Sequence, residues 1–324
     1  NIKRKNLVAL DKKLINEIIT VTTKAAISCH KFIGKDDKKN ADKAAADSMR
    51  NEINKLKING EVVIGEGELD KAPMLFIGEK LGAGGSVDID IAVDPLEGTN
   101  FVAKNLPGAL SVISIAEKGN LFNAPETYMD KLAVSKKVPN DATDLDFSIE
   151  KNIKNIADSL NKDIEDITAC LLDRVRHKKI IDKLKGMKVK MKLISDGDVS
   201  GALMVTDKKY GVDIFLGIGG GPEGVLAASA IDAYGCKFQG RFIFDNDKDI
   251  SRAKLMGIKD FDKKYDLNEI IKGDSIFCAT GITPGDLVKG IEVKDNKFTT
   301  ETLVTHKNSN MCKIVIREDI IKTW

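Results

Sequence analysis

A chain of 324 residues can bury a large core, and two lobes are expected rather than one. Its 51 basic and 49 acidic residues nearly cancel, and the lysines are scattered over polar faces, so neither nucleic acid nor membrane is an expected partner. The apolar runs fall far short of the roughly 20 residues that a membrane span needs, and no signal-peptide pattern opens the sequence. Cys29, Cys170, Cys236, Cys278 and Cys312 are widely spaced with no C-x-x-C pair, which fits reduced thiols and a cytoplasmic protein.

Between Leu10 and Ile33, the residues Leu14, Ile18, Val21, Ala25, Cys29 and Phe32 recur at three- or four-residue steps. That is the pattern of a long amphipathic helix, stopped at Gly34. A second helix is expected from about Asn40 to Lys57. Asp42 near its start reads two ways: a cap for free N–H groups, or a carboxylate aimed into a metal site. Glu61 to Ile64 reads as a short strand entering Gly65-Glu66-Gly67-Glu68. The glycines allow a sharp turn and close approach to an ion or phosphate, although such a turn also serves as the end of a polar hairpin.

The stretch V-D-I-D-I-A-V-D-P-L-E-G-T-N, Val87 to Asn100, organises the first lobe. Its first eight residues alternate as in a strand, which Pro95 is expected to stop because it has no N–H to donate. Glu97-Gly98-Thr99-Asn100 then turns into a helix. Asp94 and Glu97 flank a corner where two carboxylates can converge on one cation, and hard oxygen ligands suit Mg²⁺ or Mn²⁺ rather than zinc. The plainer alternative is an edge strand ending in an Asp-Pro turn. Leu110 to Ala116 is a further strand, and polar Ser135 to Asp146 is the expected boundary between lobes at 1–145 and 146–324.

The second lobe alternates strands and helices: Asn152 to Asn161 helix, Ile167 to Leu172 strand, Lys178 to Lys185 helix, Val189 to Leu193 strand. Ser195-Asp196-Gly197-Asp198 then precedes a helix from Val199, and the strand Val212 to Leu216 precedes Gly217-Ile218-Gly219-Gly220-Gly221-Pro222-Glu223-Gly224 and a helix to Tyr234. This order predicts a largely parallel sheet, with Asp196 and the glycine loop on one carboxyl edge. Pro222 suits a first helical position, so Gly219, Gly220 and Gly221 are expected to offer unpaired N–H groups to an anion. The loop is neither a dinucleotide fingerprint nor a Walker loop. Glu223 complements the helix dipole or shares a cation with the anion. Arg174 and Arg176, after a strand, suit bidentate phosphate binding or a solvated edge.

D-P-L-E-G-T-N resembles the signature of the metal-dependent, lithium-sensitive sugar and inositol phosphatases. Lys38-Lys39-Asn40-Ala41-Asp42, G-E-G-E at 65–68, Asn123 to Met129, Arg174-Val175-Arg176-His177 and the glycine loop narrow the resemblance to the class II fructose-1,6-bisphosphatases, over about Leu14 to Glu301. Val175 departs from the proline of the family segment. The resemblance implies an α/β fold, mixed α+β, as a layered α-β-α-β-α sandwich of two lobes. It implies metal ligands Asp42, Glu66, Asp94, Glu97 and Glu223 for Mn²⁺ or Mg²⁺, with Glu68 supporting them. Thr99, Glu66, Asp94 and Lys38 are the expected catalytic residues, Thr99 orienting the attacking water. Glu97, Gly98, Thr99, Tyr128, Arg174, Arg176, Asp196, Gly197, Asp198 and Gly220 are expected to hold the substrate.

The implied reaction is gluconeogenic hydrolysis of the 1-phosphate of fructose 1,6-bisphosphate by a homo-oligomer, a dimer or tetramer. Sedoheptulose 1,7-bisphosphate or an inositol phosphate is the alternative substrate. A non-catalytic sugar-phosphate sensor and a nucleotide-dependent transferase are the alternatives of a different class.

Overall fold

The computed structural model of the chain describes residues 10–67 and 74–321; the expectation for Glu68 lies outside the described residues. In chain order the elements are α1 (Lys12–Cys29), α2 (Lys38–Ile53), β1 (Asn59–Ile64), β2 (Lys80–Leu81), β3 (Asp88–Glu97), α3 (Thr99–Lys104) and β4 (Leu110–Glu117). There follow β5 (Tyr128–Val134), α4 (Ile149–Leu160), β6 (Thr168–Leu172), α5 (Lys178–Gly186), β7 (Lys190–Ile194), α6 (Asp198–Leu203) and β8 (Ile214–Gly220). Next come α7 (Gly221–Asp232), β9 (Lys237–Ile243), α8 (Asp247–Leu255), β10 (Tyr265–Asp266) and α9 (Leu267–Ile270). Four strands end the series: β11 (Ser275–Gly281), β12 (Glu292–Lys294), β13 (Lys297–His306) and β14 (Met311–Ile320).

The fold is mixed α/β, with two sheets. The chain divides into one unit of residues 1–121 with 272–324, and a second of residues 122–271. The sequence expectation placed a single boundary at 145. β5 belongs with the second sheet because it pairs with both β8 and β9, and β11 returns to the first because it completes the edge of β4.

In the first unit the sheet runs β12-β13-β11-β4-β3-β1-β2, with β14 on β13. The β1–β3 pair is parallel and the other pairs are antiparallel. α1 and α2 cover it through Ile18, Val21, Met49 and Ile53, packed with Ile89, Ile91, Ile113, Ile276 and Val304. Removing such aliphatic side chains from water supplies roughly 1.5–3 kcal/mol each. The strand β3 does not stop at Pro95. It continues to Glu97 through a register shift between Asp94 and Glu97, and a bulge is where a residue without N–H is tolerated in a sheet. Its neighbour Asp90 is buried, accepting from the N–H groups of Gly119 (2.7 Å) and Leu121 (3.2 Å).

In the second unit the order is β10-β9-β5-β8-β6-β7. Only β6–β7 and β6–β8 are parallel, so the expected largely parallel sheet is corrected to a mixed one. The antiparallel half is built on β5, whose run Y-M-D-K-L-A-V has no clean alternation. Leu132, Val134, Ile214 and Leu216 pack one face against Ile153 and Ile156 of α4 and Leu184 of α5. Phe215 points to the other face, against Gly201 of α6. β7 and β8 end on the same edge, and the carboxylates of Asp196, Asp198 and Glu223 lie within electrostatic reach of one another there.

Candidate active site

The first unit gathers acidic side chains behind two turns. Asp42 does not cap α2; the cap is Asp37, whose carboxylate accepts from the Asn40 N–H at 3.2 Å. Asp42 lies a turn further in, half-buried, and burial raises its pKa above the ordinary range. Glu66 follows β1. Burial, and then the charge of Asp42, push its carboxyl up to about 7. Two carboxylates that oppose each other's ionisation in this way favour a proton or a cation between them. Lys38, the first residue of α2, is exposed.

At the end of β3, Asp94 accepts from the Leu96 N–H at 3.2 Å and Glu97 is buried. Gly98, with φ +85°, is the N-cap of α3, and the Thr99 hydroxyl donates to the Leu96 carbonyl at 3.4 Å. A structural role as a cap is therefore taken by Gly98 rather than by Thr99. Among the described residues, no three His, Cys, Asp or Glu side chains converge closely enough to hold a metal ion. The donor chemistry nevertheless fits one: Asp42, Glu66, Asp94 and Glu97 supply only hard oxygens, and the charge of Asp42 raises the pKa of Glu66.

The second unit holds the sugar-phosphate candidates. The Lys131 ammonium, fully buried on β5, forms an ion pair with Asp198. Glu223 lies close by; burial raises its pKa, Lys131 opposes that, and Asp198 and Asp196 add to it. The glycines at the end of β8 are present for close approach. A Cβ on Gly219 would overlap the carboxylate of Asp198, and one on Gly220 would overlap that of Glu223.

The expectation of three unpaired glycine amides is corrected at Gly219 and Gly221. Gly219 and Gly220 are the last residues of β8, in register with Met129 and Tyr128, and the Gly221 N–H donates to the Thr127 carbonyl at 2.7 Å. The strand reaches further than the sequence implies because glycines carry little strand propensity to announce it. Asp196 accepts from the Gly197 N–H at 3.0 Å, with Gly197 in a left-handed conformation before α6. Arg176 donates through Nε to the Ile218 carbonyl at 2.9 Å, and its guanidinium carbon stands 4.8 Å from the centre of the half-exposed Tyr128 ring. Arg174 donates to the Asp173 carbonyl at 3.0 Å.

Comparison with known proteins matches residues 12–319 to the family described as bacterial fructose-1,6-bisphosphatase, glpX-encoded. The chain belongs to this family. A D-fructose 1,6-bisphosphatase class 2/sedoheptulose 1,7-bisphosphatase of Synechococcus sp. (strain JA-2-3B'a(2-13)) is 40% identical, over 94% of this chain and 95% of the relative. The protein of the same description from Synechocystis sp. (strain ATCC 27184 / PCC 6803 / Kazusa) is 39% identical over 94% and 96%. Among solved structures, the extragenic suppressor protein suhB of Bartonella henselae matches 60% of this chain and 73% of its own, at 14% identity and a TM-score of 0.35.

For this glpX-type chain, sequence reasoning missed two residues of the second unit. Lys131 is the buried cation between Asp198 and Glu223, and its signal was a charged pair, Asp130-Lys131, inside an apolar run. His177 was noted within the arginine segment and given no role. It is fully buried, with both ring nitrogens bonded to backbone.

Proposed function

We propose that this chain hydrolyses the 1-phosphate of fructose 1,6-bisphosphate, giving fructose 6-phosphate and inorganic phosphate. The observation that carries the reading is membership of the glpX-encoded family over nearly the whole chain. Sedoheptulose 1,7-bisphosphate is a second substrate on the same reasoning, because the similar relatives are described by both activities. Inositol phosphate is disfavoured, since Arg174 and Arg176 suit a second phosphate.

In this reading Asp42, Glu66, Asp94 and Glu97 hold Mg²⁺ or Mn²⁺ in the first unit, and Glu223 is the candidate metal ligand of the second. A bound divalent cation would polarise the phosphoryl oxygens, lower the pKa of water and stabilise the leaving sugar oxygen. The chain's own groups do the positioning that phosphoryl transfer chiefly requires. The Thr99 oxygen accepts a hydrogen bond from the attacking water and aims its lone pair at phosphorus. Backbone N–H groups of Gly98 and Thr99 hold the transferred phosphate, and Lys38 adds positive charge. As the water oxygen bonds to phosphorus, the bond to the C1 oxygen breaks and that oxygen leaves with a proton. Arg174 and Arg176 take the retained phosphate. Tyr128, Asp196, Gly197, Asp198 and Gly220 face the sugar.

The enzyme belongs, in the same reading, to gluconeogenesis in the cytoplasm and acts as a homo-oligomer. Among the described residues no helix is long and apolar enough to cross a membrane. The test is phosphate release from fructose 1,6-bisphosphate, sedoheptulose 1,7-bisphosphate and inositol monophosphate, with Mn²⁺, with Mg²⁺ and with chelator. Turnover of the sugar bisphosphates that needs a divalent cation is expected. Glu97→Ala should lower it by on the order of 10²-fold or more, the scale of losing one transition-state contact. Tight binding of the bisphosphate without release of phosphate would replace the reading with a sensor.

A further inference from the structure

We infer that His177 is a positioning residue that sets the grip on the second phosphate, an inference that rests on the bisphosphatase reading. The imidazole is fully buried between the ends of β6 and β8. Its Nε2 lies 2.8 Å from the Ile218 backbone nitrogen, and its Nδ1 lies 2.7 Å from the Leu172 carbonyl oxygen. A backbone N–H can only donate and a carbonyl can only accept. The pair of contacts therefore assigns one tautomer: Nδ1 carries the proton and gives it to Leu172, while Nε2 accepts from Ile218.

Ile218 is held a second time, from the preceding residue. Arg176 donates from Nε to the Ile218 carbonyl at 2.9 Å, so consecutive side chains clamp both polar groups of one residue. Gly217 makes the clamp possible. Its φ of +126° is open only to glycine, and a Cβ there would stand 2.9 Å from both Cε1 and Nε2 of the imidazole. The consequence reaches the substrate side. Arg176 spends only its Nε edge on the protein among the described residues, and its plane stays over the Tyr128 ring at 4.8 Å. The remaining edge of the fork keeps the direction in which a phosphate is met bidentately. His177 touches no reacting atom. It fixes the strand end that aims the arginine.

The test compares a sugar bisphosphate with p-nitrophenyl phosphate, which has no second phosphate. His177→Phe keeps a ring of similar size but removes the acceptor for Ile218. It should raise KM for fructose 1,6-bisphosphate roughly tenfold or more with kcat little changed, the scale of one misplaced charge-assisted hydrogen bond. The kcat/KM for p-nitrophenyl phosphate should stay near wild type. His177→Gln restores an acceptor close to Nε2 and should recover much of the KM. Equal losses on both substrates, or no change in either, would overturn the inference.

A second measurement covers a His177→Phe protein that does not fold. Nitrogen-15 NMR of wild-type imidazoles at pH 7.5 should find His177 protonated at Nδ1, and finding it protonated at Nε2 instead would overturn the assignment. A wild-type protein that fails to turn over any bisphosphate defeats the bisphosphatase reading, whereas the tautomer speaks to the clamp alone.

Discussion

At the scale of single residues, Glu66 is the most informative group. A carboxyl whose pKa is raised on folding, here from an ordinary 4.5 to about 7, binds its proton more tightly in the folded chain than in the unfolded one. Its contribution to stability is complete below the unfolded value and is lost as pH rises through the folded one. The metal-free protein should therefore lose on the order of 2 kcal/mol between pH 5 and pH 7.5 through this group, a loss that Glu66→Gln should not share. Urea unfolding of both proteins in chelator measures the difference, and parallel slopes would contradict it. On the proposed reading that Glu66 is a metal ligand, Mn²⁺ binding near pH 6 should also release most of a proton, read by calorimetry in two buffers of different ionisation enthalpy. Asp42, by contrast, shows where spacing misleads. An aspartate near a helix start looks like a cap, yet Asp37 takes that position and leaves Asp42 facing Glu66. One turn of offset is beyond what helix patterning defines.

At the scale of elements, the end of β8 and the start of α7 form a built carboxylate shelf. Gly220 has φ −61° and ψ 141°, a backbone that alanine adopts without strain. Gly220→Ala should therefore leave stability within about 1 kcal/mol of wild type, since reduced freedom of the unfolded chain offsets local crowding. Its added methyl would meet the Glu223 carboxylate, so turnover should fall by on the order of tenfold or more while the protein stays folded. Unfolding of Gly220→Ala, or full activity with Glu223 displaced, would contradict this account. The adjacent elements were legible in unequal degree. α1, α4, α5 and the strand pair β3–β4 follow from apolar period and stop signals. β5 does not, because Asp130 and Lys131 interrupt its pattern, and both are tolerated only by tertiary partners: Arg241 near Asp130, Asp198 beside Lys131. The extension of β3 past Pro95 was equally hidden, since a bulge is decided by the strand opposite.

At the scale of the whole molecule, the chain leaves the first unit after residue 121 and returns to it at 272. No local signal marks that return. β11 pairs with β4 from more than 150 residues away, and such non-local pairing has no sequence periodicity of its own. The division has an energetic consequence that fragments can expose. A piece ending at 145 would keep α1, α2 and β1 to β4 but lose Ile276, Cys278 and Val304 from their shared core. Three such side chains are worth roughly 5–9 kcal/mol at 1.5–3 kcal/mol each, comparable to the whole stability of a domain at about 5–15 kcal/mol. Residues 122–271 lose none of the cluster built on Leu132, Ile153, Ile156, Leu184 and Ile214. The continuous 122–271 fragment should therefore unfold cooperatively in urea and show a dispersed amide spectrum, while the 1–145 fragment should show neither. A cooperative 1–145 fragment would place the core of the first unit elsewhere and undo this division of the chain.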